Sequence, residues 1–255
     1  GEVDRFSAPM LIHEGAIYIH ESRQFHIDEL DWERQKAYAR QVKTDYFTDA
    51  NLAVELKVLD VTASKPQPKV TRSWGEVMVT AKTHMYKKIK FHTHENIGWG
   101  EISLPEQELH TTAYWFSLSG FDTDMNRDAL QSALIGAANV LGNIASLELM
   151  CEPGDLGVAA QVKSPFTGEP TIFIYDKYPG GVGFSEQLFD AHYRLAQRAY
   201  SLVSSCSCPS GCPSCVGPAD EVGIGGKQHV LWLLKEVMGD GSQEHSSQIS
   251  AQRNA

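Results

Sequence analysis

The sequence predicts an α+β protein, in which a small antiparallel β unit precedes a mixed α/β part with long helices and a four-cysteine knot. Three observations support this class. The first ~60 residues alternate apolar and polar side chains between turn signals. Residues 128–150 are rich in Ala and Leu and place apolar groups at helical spacing. Four of the five cysteines lie within residues 206–215.

These observations divide the chain into three parts. We expect a β-rich part over residues 1–95, folded as a partly open barrel, and an α/β part over residues 96–238. Residues 239–255 lack a core-forming pattern and should form a flexible tail.

The β-rich part contains several short apolar runs bounded by turn residues. Residues 32–42 fit a strand or a short helix, and the prolines of residues 64–69 indicate a loop. Residues 74–94 fit a long strand pair or one strongly bent strand. The remaining predicted strands are MLIHEG, AIYIHESR, QFHIDEL and NLAVELKVLDV.

The α/β part begins with the helix over residues 128–150, which Pro153 and Gly154 terminate. Two apolar, β-rich runs follow, LGVAAQV and TIFIYD. A second long helix is expected over residues 184–204 and a short one over residues 227–238.

Composition narrows the class of protein. The chain has 255 residues, 42% hydrophobic and 21% charged, as in an ordinary globular protein. No run reaches the ~18 to 20 apolar residues of a membrane span, and no signal peptide opens the chain, so we expect no membrane partner.

The net charge of −10 lowers the expectation that this chain binds nucleic acid, although a local basic face can still bind it. An odd cysteine count without a secretory signal indicates a reducing compartment. The first residue is Gly rather than Met, so we expect a piece of a larger protein.

The cysteine knot has the spacing C-x-C-x3-C-x2-C. Two close thiol pairs separated by a Ser-Gly turn suit one structural Zn²⁺ held by four thiolates. Cys206 and Cys208 are too close in sequence to form a comfortable disulfide, and an iron–sulfur cluster is not excluded by spacing alone. The four predicted zinc ligands are Cys206, Cys208, Cys212 and Cys215. Cys151 stands alone and suits a small buried apolar group.

A glycine loop connects the strand TIFIYD to the helix that follows. Its glycines, Gly180, Gly181 and Gly183, suit a strand-to-helix turn with positive φ or a phosphate cradle, and the turn is the better explanation. Asp176, at the strand end, is expected to cap the loop or to touch a ligand. No Walker A motif occurs, because "GIGGKQ" lacks the first glycine and the hydroxyl residue.

A basic strip lies between residues 82 and 94. As one strand, this segment would place Met85, Ile89 and Phe91 on a core face, and the basic face would suit a nucleic-acid backbone or plain solvation. The candidate DNA contacts are Lys82, Lys88, Lys90, His92 and His94, with His84 and Tyr86 on the same face. An alternative is a second metal site formed by His92 and His94 with Glu101 and His110 downstream.

Five segments resemble the C-terminal zinc-binding domain of mitomycin repair factor A-type DEAD/DEAH-box DNA helicases. The glycine loop followed by the cysteine knot is the most specific of them. The segments are SAPMLIHEGAIY, YFTDANL, ENIGWGEISLPEQELHTTAYW, YDKYPGGVGFSEQLFDA and CSCPSGCPSCVGP. The resemblance implies a bacterial, cytoplasmic parent that uses ATP to unwind DNA in excision-type repair. It also implies zinc on the four cysteines of the knot.

We therefore expect a zinc-stapled accessory domain without catalysis of its own. It would support the helicase motor domains of the same chain and help to bind and separate single-stranded or forked DNA. Two alternatives remain open. One is an independent metalloenzyme using His92, His94 and His110, and the other is a protein-interaction module, which the acidic surface would suit.

Overall fold

A computed structural model describes residues 1–119, 126–218, 222–223 and 225–239, without the side chain of Asn51. Except for Gly239, the predicted tail over 239–255 lies outside these residues. The chain divides into two compact units that alternate in sequence. Unit 1 comprises Gly1–Glu55 and Val79–Glu108, and unit 2 comprises Leu56–Met78 and Leu109–Ala255. The predicted division at residue 95, and the barrel before it, stay predictions.

Unit 1 contains a three-stranded antiparallel sheet in the order β1-β2-β3. Its strands are β1 (Ile17–His20), β2 (Arg23–Asp31) and β3 (Lys36–Val42). The strand alternative for residues 32–42 is therefore correct. The predicted strand MLIHEG is wrong, because Ala8–Leu11 form a helical turn, α1, with Pro9 in its first turn. Proline is favoured there, since its fixed φ suits a helix and its missing N–H is not needed.

Two long strands supply residues to both units. They are β4 (Tyr46–Pro66) and β5 (Val70–Lys90), joined by a short turn in which the Gln67 N–H donates to the Val70 carbonyl at 3.0 Å. Residues 74–90 therefore belong to one long strand rather than to a strand pair. In unit 1, β5 pairs antiparallel with β6 (Asn96–Glu101).

Unit 2 places helices against an antiparallel sheet. The strand order is β4-β5-β7-β9-β8, where β7 is Gln107–Leu118, β8 is Leu156–Gln161 and β9 is Thr171–Asp176. Strands β7 and β9 carry little charge and are rich in aromatic and β-branched residues, which suits their burial. Tyr114, Phe116 and Ile174 contribute to the hydrophobic core beneath the helices.

Helix α2 (Arg127–Leu149) confirms the predicted Ala/Leu-rich helix. It begins where the Asn126 Oδ1 accepts the Ala129 N–H at 2.8 Å, and it ends at Met150, which has φ of 54°. By length and composition α2 is also apolar enough to cross a membrane. It packs, however, against β8, β9 and the helices α4 (His192–Ser205) and α5 (Gly226–Met238), so it is a core helix of unit 2.

The single helix predicted over residues 184–204 is wrong. The structure divides it at Ala191 into α3 (Phe184–Asp190) and α4, and the sequence gives no signal because neither Gly nor Pro stands at the break. Phe189 and His192, on either side of the break, are 4% and 3% exposed. The break therefore coincides with the burial of side chains on both helices.

His192 is buried in its neutral form. Its Nδ1 lies 2.5 Å from the Tyr114 hydroxyl and its Nε2 lies 3.3 Å from the Val237 carbonyl. The hydroxyl donates to Nδ1 and the Nε2–H donates to the carbonyl, so one neutral tautomer satisfies both contacts. Burial, followed by the nearby Arg72 charge, lowers the pKa of His192 from 6.5 to about 4.

This burial predicts a pH dependence of stability. The folded-state pKa lies below the unfolded value, so the contribution of His192 is complete above pH 6.5 and is lost as the pH falls toward 4. The difference between the two pKa values corresponds to about 3 kcal/mol. We expect His192→Gln to be less stable at pH 7 and to lose less stability than the wild type between pH 7 and pH 4. Urea unfolding at several pH values measures this, and equal pH slopes would contradict it.

Candidate metal centre and nucleic-acid surface

The cysteine knot lies between the end of α4 and the start of α5. The Cys206 N–H still donates to the Leu202 carbonyl at 3.1 Å, so the first ligand is fixed by the last turn of α4. Neighbouring Sγ atoms are 3.5 Å apart for Cys206 and Cys208 and 3.4 Å apart for Cys208 and Cys215. The Cys212 Sγ lies 3.7 Å from that of Cys206 and 3.5 Å from that of Cys215. All four ligand atoms lie within 4.8 Å of one another.

These separations fit a metal and not a disulfide. Four thiolates at ~2.3 Å from a tetrahedral Zn²⁺ would be separated by about 3.8 Å, close to the spacing of this group. A disulfide needs an S–S distance of ~2.05 Å, and all four cysteines are free. Four thiolates fill the coordination shell, so the arrangement is structural and leaves no position for a reacting water.

The backbone of the knot is shaped for two ligand pairs. The Cys212 carbonyl accepts N–H groups from Cys215 at 2.9 Å and from Gly217 at 3.1 Å, which folds the second pair into a tight turn. Gly211 has φ of +144°, and a Cβ there would lie 2.7 Å from the Gly217 carbonyl oxygen. Only glycine therefore suits the turn between the two pairs.

Lys227 holds the knot against α5, a role that sequence reasoning missed. Its Nζ donates to the Cys206 carbonyl at 2.5 Å and to the Cys208 carbonyl at 2.9 Å, and the residue is only 8% exposed. A buried ammonium is costly unless it is hydrogen-bonded or opposed by negative charge, and thiolates coordinating Zn²⁺ supply net negative charge. The signal was the lysine in "GIGGKQ", which begins an otherwise apolar helix.

The thiols of the knot differ in pKa. The Cys208 N–H donates to the Cys206 sulfur and lowers the pKa of that thiol to about 7, which favours the thiolate that binds metal. Metal binding must displace the remaining protons, so zinc affinity falls as the solution is acidified.

The glycine loop is a strand-to-helix turn closed by Asp176. This carboxylate is fully buried, and its Oδ2 accepts the Val182 N–H at 2.8 Å and the Phe184 N–H at 3.3 Å. Its Oδ1 accepts the Ser185 hydroxyl at 2.6 Å. Gly180, Gly181 and Gly183 have φ of +76°, +75° and +88°.

Most polar groups of this loop therefore already have partners within the protein. The Gly180 N–H donates to the His110 carbonyl and the Gly181 N–H to the Tyr178 carbonyl, both at 2.9 Å. Two further N–H groups donate to Asp176. Because these donors are occupied, the turn accounts for the glycines better than a phosphate cradle does.

The basic strip is arranged differently from the prediction. Strand β5 ends at Lys90, so His92 and His94 lie beyond it, and His94 has φ of +52°. The expected core face is wrong at Met85, which is 41% exposed, whereas Tyr86 on the basic face is 9% exposed. The Tyr86 ring packs against that of His13 at a tilt of 35°, with 4.5 Å between ring centroids, and it packs over Gly15 and Gly100. Small residues and an aromatic partner thus bury a side chain that alternation placed outside.

Two lysines of the basic strip form ion pairs with neighbouring glutamates. Lys82 forms an ion pair with Glu106, and Lys90 one with Glu95 at 3.1 Å. The Lys88 ammonium lies 5.8 Å from the centre of the Tyr46 ring. The predicted DNA contacts at Lys82, Lys88, Lys90, His92 and His94 stay predictions.

The predicted histidine metal site gains no support from the structure. Within the described ranges, the four cysteines form the one group of His, Cys, Asp and Glu side chains that meets metal-ligand spacing. The His110 Nε2 lies 3.2 Å from the Glu76 carboxylate, and both side chains are more than half exposed. Such a pair is an ordinary surface contact.

The fold and the four-thiolate group define a zinc-stabilised α+β domain. Residues 137–216, which include the glycine loop and all four ligands, match the family model of the MrfA Zn-binding domain. The resemblance found in the sequence is thereby confirmed, and the four cysteines form one structural zinc site of that kind.

Similarity to helicases extends over nearly the whole chain. The chain is 45% identical to the ATP-dependent helicase YprA of Bacillus subtilis over 93% of its own length and 32% of the helicase. A crystal structure of the helicase MrfA bound to DNA has a TM-score of 0.68 and 45% identity, covering 94% of this chain and 32% of that one. A second, bound to DNA and AMPPNP, has a TM-score of 0.57 and 42% identity, covering 92% and 29%. The chain thus spans about a third of these relatives.

Proposed function

We propose that this chain is the zinc-binding accessory domain of an ATP-dependent DNA helicase that acts in the repair of damaged DNA. The main support for this proposal is the sequence similarity to helicase YprA over 93% of the chain. The structural similarity to MrfA bound to DNA supports it further. In this proposal the motor domains of the parent hydrolyse ATP, and this chain binds single-stranded or forked DNA and supports strand separation. A cytoplasmic, bacterial location belongs to the same proposal.

The chemistry of the site supports a non-catalytic role. A closed four-thiolate zinc centre activates no water, and the glycine loop directs its donors to Asp176 and to main-chain carbonyls. The zinc therefore fixes the corner between α4 and α5. The metalloenzyme alternative would need a further ligand set, which the described residues do not provide.

DNA binding by the chain tests this function. Fluorescence anisotropy with labelled single-stranded, duplex and forked oligonucleotides should show binding that weakens as salt rises, because phosphate contacts release counterions. ATP hydrolysis by the same preparation should remain absent with and without DNA. If the chain bound none of the three oligonucleotides, the proposal would be contradicted.

Neutralising the basic strip gives a residue-level prediction. The double variant Lys88→Gln/Lys90→Gln should bind single-stranded DNA about 3- to 30-fold more weakly, with a salt slope smaller by about 1.4 if both lysines contact phosphates. Lys36→Gln, an exposed lysine on β3, is the matched control and should change neither quantity. An unchanged slope in the double variant would remove these two residues from the DNA contact.

A further inference from the structure

The β5–β6 hairpin exposes one aromatic and two other apolar side chains. Trp99 is 64% exposed, Ile97 is 44% exposed and Met85 is 41% exposed. Strand register places Lys87 directly opposite Trp99 and Met85 directly opposite Glu101. Ile97 lies where the register shifts, between Asn96, which pairs with Ile89, and Gly98, which pairs with Lys88. We call Met85, Lys87, Trp99 and Glu101 the hairpin face.

The structure fixes the orientation of this face. On the opposite side of β6, Gly98 and Gly100 alternate with these residues, and the Tyr86 ring lies over Gly100. A Cβ at Gly100 would come within 2.5 Å of that ring, so no side chain fits there. Because a one-residue slip would reverse the faces of β6, the close approach of Tyr86 keeps Trp99 directed outward.

The hairpin face carries one cation and one carboxylate, because Lys87 lies opposite Trp99 and Glu101 lies opposite Met85. Of the four lysines in residues 82–94, Lys87 lies on the hairpin face, whereas Lys82, Lys88 and Lys90 alternate onto the opposite face. Glu95 and Glu106 form ion pairs with Lys90 and Lys82, respectively. In the described part of the chain no ion pair is formed by Lys87, so its ammonium can meet a phosphate beside the Trp99 ring.

From this arrangement we propose that Trp99 stacks on an unpaired base and that Lys87 contacts the adjoining phosphate of a single-stranded nucleic acid. Every base has a π-face, so an exposed aromatic ring beside a cation binds single strands with little sequence preference. Unpaired bases are required, because stacked duplex bases do not offer a free face. Trp and Met are enriched in protein–protein interface cores and lysine is depleted there, so the exposed cation beside the ring is what favours a nucleic acid over a protein occupant.

This inference rests on the proposed DNA-binding function and names a contact site on the face opposite to the basic strip. It is tested with the 255-residue chain and a labelled 20-nucleotide oligo-dT, by anisotropy over a series of salt concentrations. Trp99→Ala should weaken binding about 5- to 100-fold with an unchanged salt slope, because it removes stacking and no charge. Lys87→Gln should instead lower the slope by about 0.7.

Matched variants separate stacking from general damage. Trp99→Phe keeps a ring and should bind within about threefold of the wild type. Tyr38→Ala, on β3 of the same unit and 49% exposed, should bind as the wild type does. On an oligonucleotide made of abasic sites, wild type and Trp99→Ala should bind equally, since no base is present to stack. Zinc content and circular dichroism confirm that each variant is folded.

The outcomes distinguish the two proposals. If the wild type binds oligo-dT and Trp99→Ala binds it equally well, the hairpin-face site is wrong while the proposed function stands. The site is also wrong, and the function again stands, if the two proteins differ on the abasic strand as much as on oligo-dT. If the wild type binds no DNA at all, the site and the proposed function both fail, and a protein partner becomes the occupant to test.

Discussion

Replacing Cys215 by Ser should remove zinc from the protein and destabilise unit 2 by at least ~3 kcal/mol, which lowers the melting temperature by about 6–12 °C. Cys215 is fully buried in the hydrophobic core, and its thiolate is one of the four ligands. Losing one ligand opens the coordination shell and leaves three thiols crowded together. The wild type should hold one zinc per chain, measured by elemental mass spectrometry beside thermal unfolding, and a strong chelator should reproduce the destabilisation.

Cys151→Ser is the matched control for this experiment. Cys151 is partly buried at the end of α2 and is not a member of the ligand group. It should keep one zinc per chain and lose little stability. A Cys215→Ser protein that retained full zinc and the wild-type melting temperature would show that the knot is not the staple described above. If elemental mass spectrometry found iron in place of zinc, the metal bound by the knot would be iron.

Replacing Asp176 by Ala should be the second large effect, about 4 kcal/mol or some 8–16 °C in melting temperature. The carboxylate accepts three hydrogen bonds, from Val182, Phe184 and Ser185. Its removal leaves donors without partners in a buried site, and each such donor costs ~1–3 kcal/mol. The glycine loop would then lose the contacts that hold its three positive-φ residues.

Two further variants grade this effect. Ser185→Ala removes one donor together with its hydrogen bond and should cost about 1 kcal/mol. Asp176→Asn keeps the shape and one acceptor oxygen, so it should fall between Ser185→Ala and Asp176→Ala. Thermal unfolding ranks the three proteins. If Asp176→Ala were as stable as Ser185→Ala, the carboxylate would not be what closes the loop.

Local patterns predicted much of this protein correctly. The zinc ligands are four residues within one ten-residue stretch, so their proximity is determined by chain connectivity rather than by the fold. Helix α2 follows from a long Ala/Leu-rich run that stops before Pro153 and Gly154. The glycine loop follows from residues that alone tolerate positive φ.

The errors occur where a distant contact overrides a local pattern. Alternation along β5 predicted a buried Met85 and an exposed Tyr86, but Gly15 and Gly100 leave room for the Tyr86 ring beside His13. The helix break at Ala191 has no sequence signal, and the buried His192 after it meets Tyr114 and Val237, which are far away in the chain.

The sequence by itself therefore determined the four metal ligands, the glycine turn and the long core helix, because each depends on residues close together along the chain. Only the tertiary structure decided that Lys227 joins the knot to α5. It also decided that Trp99 faces solvent beside Lys87. Those features depend on strand register and on close approach between segments remote in sequence, which residue type and local spacing do not encode.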